Sequence, residues 1–242
     1  GRVLIRADLQ RWLELLSVFV VAVSLTGLLA ARLGVFEAKP VWLVGLLITG
    51  GYHHWTASRT ELSMPVPVWH IALILVVGLL FRLSPYAWVL GGQDQGVYVN
   101  MAMELVRSGG LDPVDQVKSG FSDPALLEVY KNSNYGANYL PGVYSTSDGL
   151  IFQFYHLFPV WLALFGDGAD PVSAMYGLTA LSLLSILLFY RVAHLITGSA
   201  VAGLAAGLLL AVNPLHAFFS KFPVTEVPTL TFSLMSFALA LT

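Results

Sequence analysis

Ile151-Phe-Gln-Phe-Tyr-His-Leu-Phe-Pro-Val-Trp-Leu-Ala-Leu-Phe165 is apolar over most of its length, yet Gln153, His156 and Pro159 interrupt it. Whether this stretch crosses a bilayer decides the side on which everything after it lies. It is bounded by Gly166-Asp-Gly-Ala-Asp170, after which Pro171 opens a longer apolar run ending at Arg191 and His194. Lys and Arg are retained on the cytoplasmic side of membrane proteins, so Arg191 is expected inside and the acidic run outside. Residues 151–165 are then expected to form an interfacial or re-entrant helix and not a crossing.

The rest of the chain supports a membrane setting. Of its 242 residues 57% are hydrophobic and 11% charged, against about 25% charged in an ordinary soluble domain. The formal charge of -2 leaves no basic stripe to hold phosphates, so no nucleic-acid partner is expected. The absence of cysteine removes disulfides, thiolate metal sites and thiol catalysis. After Arg191 the chain turns at Gly198 and runs apolar again from Ala200 to Val212, where Gly203 and Gly207 give the small-xxx-small spacing of closely packed helices. The next loop, Lys221 to Glu226, therefore emerges outside. The final run from Thr231 to Thr242 has no cap or polar tail, which leads to the expectation that the chain stops inside a helix and is the amino-terminal piece of something longer.

Upstream, Arg2, Arg6 and Arg11 precede the apolar run Leu15 to Ala31, which reads as a signal anchor with its basic end in the cytoplasm. Pro40 opens a second segment that loses hydrophobicity at His53 and His54. Taken to Tyr52 it is short, in the class of about 10 to 14 residues that need not span. The third segment, Val66 to Leu83, is expected to cross. If all three cross, Asp94 emerges opposite the amino terminus; if the second is re-entrant, the assignment inverts. The fold class is thus all-α: a polytopic transmembrane helix bundle with interfacial helices in a long extracytoplasmic loop. Residues 1–83 form about three spans, 84–170 the loop, and 171–242 further spans with a second outer loop.

Within the first loop, Val97, Met101 and Leu105 recur at helical spacing, with Asn100, Glu104 and Arg107 opposite. That pattern predicts an amphipathic interfacial helix, stopped at Gly109-Gly110. From Asp112 through Tyr130, Tyr135, Tyr139 and Pro141 to Tyr144 the chain is polar and aromatic without strong periodicity, and is expected to be a long functional loop.

Two carboxylates stand out. Asp94, in Gly91-Gly-Gln-Asp-Gln-Gly-Val-Tyr-Val-Asn100, has the residue type and position of an N-cap, but an acid at the mouth of a hydrophobic span is also a functional candidate. Glu226, in Lys221-Phe-Pro-Val-Thr-Glu-Val-Pro228, reads either as a first-turn acid after a Thr225 cap or as the second carboxylate of one site. Two acids from different loops suit a general base or a hard cation. Lys221 either holds a phosphate or snorkels from a helix end. His156 is a lone histidine in an aromatic segment, structural or ligating. His53 and His54, as helix neighbours, do not share a face, and Glu104 reads as solvated. Tyr130, Tyr135, Tyr139 and Tyr144 either stack on sugar rings or pack at the bilayer interface. No Walker-type loop, dinucleotide fingerprint or nucleophile elbow is present.

The succession of Gly92-Gln-Asp-Gln-Gly-Val-Tyr-Val-Asn-Met-Ala102, a second interfacial segment ending in Leu162-Ala-Leu-Phe-Gly166, two spans, and the basic-to-acidic loop Lys221–Glu226 resembles the GT-C membrane glycosyltransferases. Within them it is most similar to the group of protein O-mannosyltransferases and lipid A aminoarabinose transferases. The resemblance covers about residues 70 to 240. It implies a multi-pass protein of a bacterial plasma (inner) membrane, the amino-terminal part of a larger GT-C fold. Its partners would be the lipid bilayer and a polyprenyl-phosphate sugar donor, whose sugar passes with inversion to an unidentified acceptor on the extracytoplasmic side. Asp94 would match the acid that activates the acceptor or helps coordinate a divalent cation, Glu226 the second-loop acid, and Lys221 the nearby basic residue. Tyr98, Tyr139 and His156 would be substrate-binding. Leu157-Phe158-Pro159 follows His156 where many members have Pro-Pro, and two segments precede the third span where one is usual. The competing expectation is a non-enzymatic polytopic protein, either a lipid-carrier or solute transporter or a structural subunit of an envelope-assembly complex. Against a transporter, these carboxylates lie in loops rather than on broken helices at midplane.

Overall fold

The computed structural model describes residues 6–7, 9–57, 66–85, 94–113, 120–132, 138–140, 142–146, 149–167 and 170–241. Arg2, Gly91-Gly92, Tyr135, Pro141 and Gly168-Ala169 lie outside the described residues, and of Arg6, Tyr130 and Tyr139 only the backbone is described. The described chain is mostly helical, with two small antiparallel sheets.

The first helix, α1 (Leu9–Arg32), ends where Gly34 adopts φ 72 and the Val35 N–H returns to the Ala30 carbonyl at 2.9 Å. The chain reverses into α2 (Ala38–Thr56), which corrects the short second segment read from the sequence. Its 19 residues take in His53 and His54 and rise about 28 Å. At the far end of this hairpin Gly45 meets Val23, so closely that an added Cβ would lie 2.2 Å from Val23 Cγ1. At the near end Arg11 donates to His53 Nδ1 at 2.8 Å and to Thr56 Oγ1 at 2.7 Å, and the Tyr52 hydroxyl donates to Glu14. The second segment therefore packs back along the first, 19 residues against 24, and it is not among the helices apolar enough to stand as candidate spans.

A two-residue strand β1 (Arg6–Ala7) pairs with β2 (Val66–Pro67). That pairing returns α3 (Val68–Arg82) to the near end, parallel to α1. α4 (Asp94–Ser108) lies at the far end, where the Phe36 N–H donates to the Gly109 carbonyl at 2.9 Å. Val97, Met101 and Leu105 are buried, Asn100 and Arg107 exposed, and Gly109 (φ 73) stops the helix, all as the spacing predicts.

The stretch expected to be a loop is not one throughout. It contains α5 (Pro124–Asn132) and a meander of β3 (Asn138–Leu140), β4 (Val143–Thr146) and β5 (Gly149–Phe152). These strands qualify the all-α expectation. Gly142 (φ 77) lets the meander sit on α4, since a Cβ there would lie 2.3 Å from Val97 Cγ2. β5 takes the first residues of the opening stretch, and the helix that follows, α6 (Leu157–Ala163), has 7 residues. Such a helix rises about 10 Å, far short of the roughly 30 Å hydrocarbon core.

α7 (Pro171–Thr197) begins where the Asp170 carboxylate caps the Val172 N–H at 2.9 Å. It runs to the near end, where Arg191 Nε donates to Gln10 Oε1 at 2.5 Å and the Tyr190 hydroxyl lies 3.2 Å from His70 Nδ1. Gly198 (φ 66) ends it, and α8 (Ala200–Val212), capped by Ser199, returns to the far end. Gly203 allows the close approach expected of it, because a Cβ would meet the Tyr190 carbonyl at 2.9 Å. The short α9 (Pro214–Phe219) and α10 (Glu226–Ala240) follow, and α10 packs along α7 through Thr231 Oγ1 donating to the Leu181 carbonyl at 3.1 Å.

α1 and α7 are long and apolar enough to cross a membrane, while α3, α8 and α10 are apolar and shorter. Large aliphatic side chains such as Leu29, Leu47, Leu80 and Leu209 are exposed on the outward faces of four helices. Both features accord with membrane association.

Candidate active site

Because α7 descends, α8 ascends and α6 is too short to traverse the bundle, α4 and the start of α10 share the far end. Asp94 is the first residue of α4 and Glu226 the first of α10. Both are exposed, and each stands at the partly positive end of its helix dipole. Asp94 thus lies inside the first helical turn and not one position before it.

Tyr98 links the two. It follows Asp94 by one helical turn, is 8% exposed, stacks on Phe154 with ring centroids 4.7 Å apart, and meets Phe158 edge-on at 5.2 Å. Burial pushes its phenol pKa up, a hydrogen bond with the Thr225 side chain pulls it down, and the charges of Asp94 and Glu226 push it up again. Both carboxylates therefore act on one phenol. Thr225 occupies the cap position of α10, but with φ -83 and ψ -1 it makes no side-chain cap bond. The capping role expected of it is replaced by its bond to Tyr98.

Beside this group lies a cavity of about 420 Å³, whose walls come from α1, α4, α6, α7 and α10. Tyr98 and Thr225 stand on it, Tyr155 projects at its rim with 93% of its surface exposed, and Phe158, Trp161 and Phe232 supply aromatic wall. Trp161 is fixed by its indole N–H donating to the Gly177 carbonyl at 2.8 Å. The apolar rings and the ring of hydroxyls could seat an amphipathic ligand, with the carboxylates next to its polar end.

The other candidates separate. His156 sits half-buried at the cap position of α6 without a cap bond. Burial lowers its pKa, the Arg32 charge lowers it further, and Asp112 opposes them. Its charged neighbours are thus a different pair from those around Tyr98. Lys221 is half-buried in the turn before α10, at the same end as Glu226. Tyr139 falls in β3, its side chain undescribed. Glu104 is engaged by Arg107 one turn along, Nε to Oε2 at 3.0 Å. Among the described residues no group of three His, Cys, Asp or Glu could hold a metal ion. Two carboxylates alone still suit a hard cation whose remaining ligands are substrate phosphate and water.

Sequence reasoning missed Ser24, Tyr155, Thr229 and Ser233 as cavity residues. Thr225, Thr229 and Ser233 recur every four residues, a readable stripe on one helix face, whereas nothing in the sequence marks Ser24. Comparison with family models, with curated proteins and with solved structures finds no match for this chain.

Proposed function

We propose that the chain is a polytopic membrane glycosyltransferase of GT-C type that takes a sugar from a polyprenyl-phosphate carrier. The observation that carries this reading is that Asp94 and Glu226 begin two helices at one end of the molecule, Asp94 one turn before Tyr98 and Glu226 next to Thr225, the bonded pair that stands on an amphipathic cavity. In this reading α1, α2, α3, α7, α8 and α10 cross the bilayer. The near end, with Arg11 and Arg191, is read as cytoplasmic and the far end as extracytoplasmic, although Arg32, Lys39 and Arg82 at the far end run against the positive-inside rule.

The Asp94 carboxylate accepts the proton of the acceptor hydroxyl as its oxygen attacks the anomeric carbon from the face opposite the phosphate. The bond from that carbon to the phosphate oxygen breaks, so configuration inverts. The electron pair stays on the phosphate, a competent leaving group that needs charge stabilisation more than a strong acid. Lys221, in the turn before α10, would supply positive charge, and Tyr98, held by Thr225, would lie between the helix starts that carry the two acids. Asp94 and Glu226 would hold a divalent cation, which when bound would offset charge on the departing phosphate.

Replacing Asp94 by Asn in the full-length protein is expected to lower transfer from a polyprenyl-phosphate sugar by about 10² to 10⁴, the range of a general base. Full activity in that variant would remove the assignment.

A further inference from the structure

Among the described residues no charged side chain, Asp94 and Glu226 included, lines the cavity beside Tyr98. Its polar atoms are hydroxyls. Thr225, Thr229 and Ser233 present a stripe along α10, and across the space stands Ser24 of α1. Ser24 is 2% exposed, and its hydroxyl has no hydrogen-bond partner.

Among the described buried serine and threonine hydroxyls, that of Ser24 alone has no partner. A serine or threonine inside a helix ordinarily donates back to the carbonyl four residues earlier. Ser17 does so on the same helix, to Leu13 at 2.7 Å, as do Thr231 to Val227 at 2.8 Å and Ser236 to Phe232 at 3.0 Å. Ser24 makes no such bond to Val20 and stands on the cavity. A buried hydroxyl without a partner is costly; the Ser24 oxygen is closed off as it stands, and a turn about χ1 would bring it to a ligand hydroxyl in the cavity that the residue borders.

We infer that this cavity receives an uncharged glycosyl ring, gripped by Ser24, Thr229 and Ser233 and stacked against its aromatic wall. The inference rests on the glycosyl-transfer reading and narrows its substrate to neutral sugars. Sugar hydroxyls match wall hydroxyls that both donate and accept, and the apolar faces of the ring match the aromatic side chains. A carboxylate on the ring would be buried here without a counter-charge, and for an ammonium the nearest carboxylates, Asp94 and Glu226, stand outside the lining and exposed to solvent. The same ring chemistry could belong to the donor or to a glycoside acceptor.

The test uses the purified chain in lipid nanodiscs and compares binding of five probes. They are a polyprenyl-phosphate hexose, its amino-sugar and uronate counterparts, the bare polyprenyl phosphate, and an octyl hexoside. The neutral hexosyl carrier or the octyl hexoside is expected to bind at least ten times more tightly than either charged carrier, and which of the two does so tells donor from acceptor. Ser24→Ala and Ser233→Ala are expected to bring that preference toward unity while leaving bare-carrier binding unchanged, and Ser24→Ala, which removes an unpaired buried hydroxyl, is expected to raise the melting temperature. Equal affinity for neutral and charged rings, or a preference untouched by both substitutions, would overturn the neutral-ring site. Transfer of charged sugars as fast as neutral ones would overturn it too, yet leave the transferase standing. Binding of the neutral ring without transfer to any acceptor would have the opposite meaning.

Discussion

The bond between Tyr98 and Thr225 lends itself to a quantitative test, because its two ends sit in different solvent environments. Tyr98 is 8% exposed, while Thr225 is exposed. Tyr98→Phe keeps the stack on Phe154 and the edge contact with Phe158, and leaves the Thr225 hydroxyl to water. The cost is one hydrogen bond, about 1 kcal/mol. Thr225→Val is nearly isosteric but strands a buried phenol hydroxyl, which costs about 1 to 3 kcal/mol. The double variant strands nothing and should resemble Tyr98→Phe, so the cycle should show a coupling of about 1 kcal/mol or more, beyond the roughly 0.3 to 0.5 kcal/mol scatter of independent sites. Equilibrium unfolding in mixed micelles followed by circular dichroism measures all four proteins. Additive singles, or a Tyr98→Phe that costs more than Thr225→Val, would refute the reasoning. Since the Thr225 bond lowers the Tyr98 pKa, the phenol of Thr225→Val should also titrate at higher pH than in the parent, read from tyrosinate absorbance.

Three further outcomes are expected. His216 is 7% exposed and its pKa is lowered to about 4, first by burial and then by Arg82, whose Nη2 donates to His216 Nδ1 at 2.5 Å. The unfolded chain takes up this proton near pH 6.5 and the folded one only near 4, so stability should fall by on the order of 3 kcal/mol as pH drops through that window. Acid unfolding of His216→Asn should lack this component; an unchanged profile would contradict it. Gly203→Val should cost about 1 to 3 kcal/mol by forcing α8 off the Tyr190 carbonyl, whereas Gly50→Ala, with nothing within 4 Å of the new methyl, should gain up to about 1 kcal/mol from helix propensity; thermal melts of the pair decide. Glu104→Gln breaks a pair with Arg107 one turn away in which the glutamate side chain is 14% exposed, and should cost up to about 1 kcal/mol and change transfer by less than twofold, whereas a larger loss of transfer would place Glu104 in the chemistry.

Where local chemistry decides structure, the sequence was readable almost to the residue. Pro171 opens α7, Gly198 closes it and α8 runs from Ala200 to Val212 as expected, while the caps Asp170, Ser199 and Asn213, whose side chain accepts from the His216 N–H at 3.0 Å, were not read from the sequence. The buried face of α4 was legible for the same reason. What escaped depends on contacts distant in the chain. His53 and His54 made the second segment look short, but Arg11 from α1 binds the His53 ring and prolongs the useful length of α2. The strands between Asn138 and Phe152 are too short to show a period of two, and they form because Gly142 lets the meander close on Val97. Thr225 has the residue type of a cap and sits where a cap belongs, so only the arrival of Tyr98 from another helix explains why it does not act as one. Ser24 looks in sequence like any small residue of an apolar helix.

The opening stretch bears on the chemistry through parity. Between Asp94 and Glu226 the chain traverses the bundle by α7 and α8, an even number of passages, and so the acids coincide at the far end. A third traversal at residues 151–165 would place them at opposite ends. Three local features prevent it. Gly149–Phe152 is committed to β5 by pairing with β4. Pro159 is tolerated in the first turn of α6, where its missing N–H is not needed, but would interrupt a helix begun several residues earlier. Gly166 closes the helix against α4, since a Cβ there would lie 2.8 Å from Val106 Cγ2. Of the interruptions that set this stretch apart in the sequence, Pro159 is thus the one that acts with β5 and Gly166 to keep the helix short, and a short α6 is the condition on which any joint action of Asp94 and Glu226 depends.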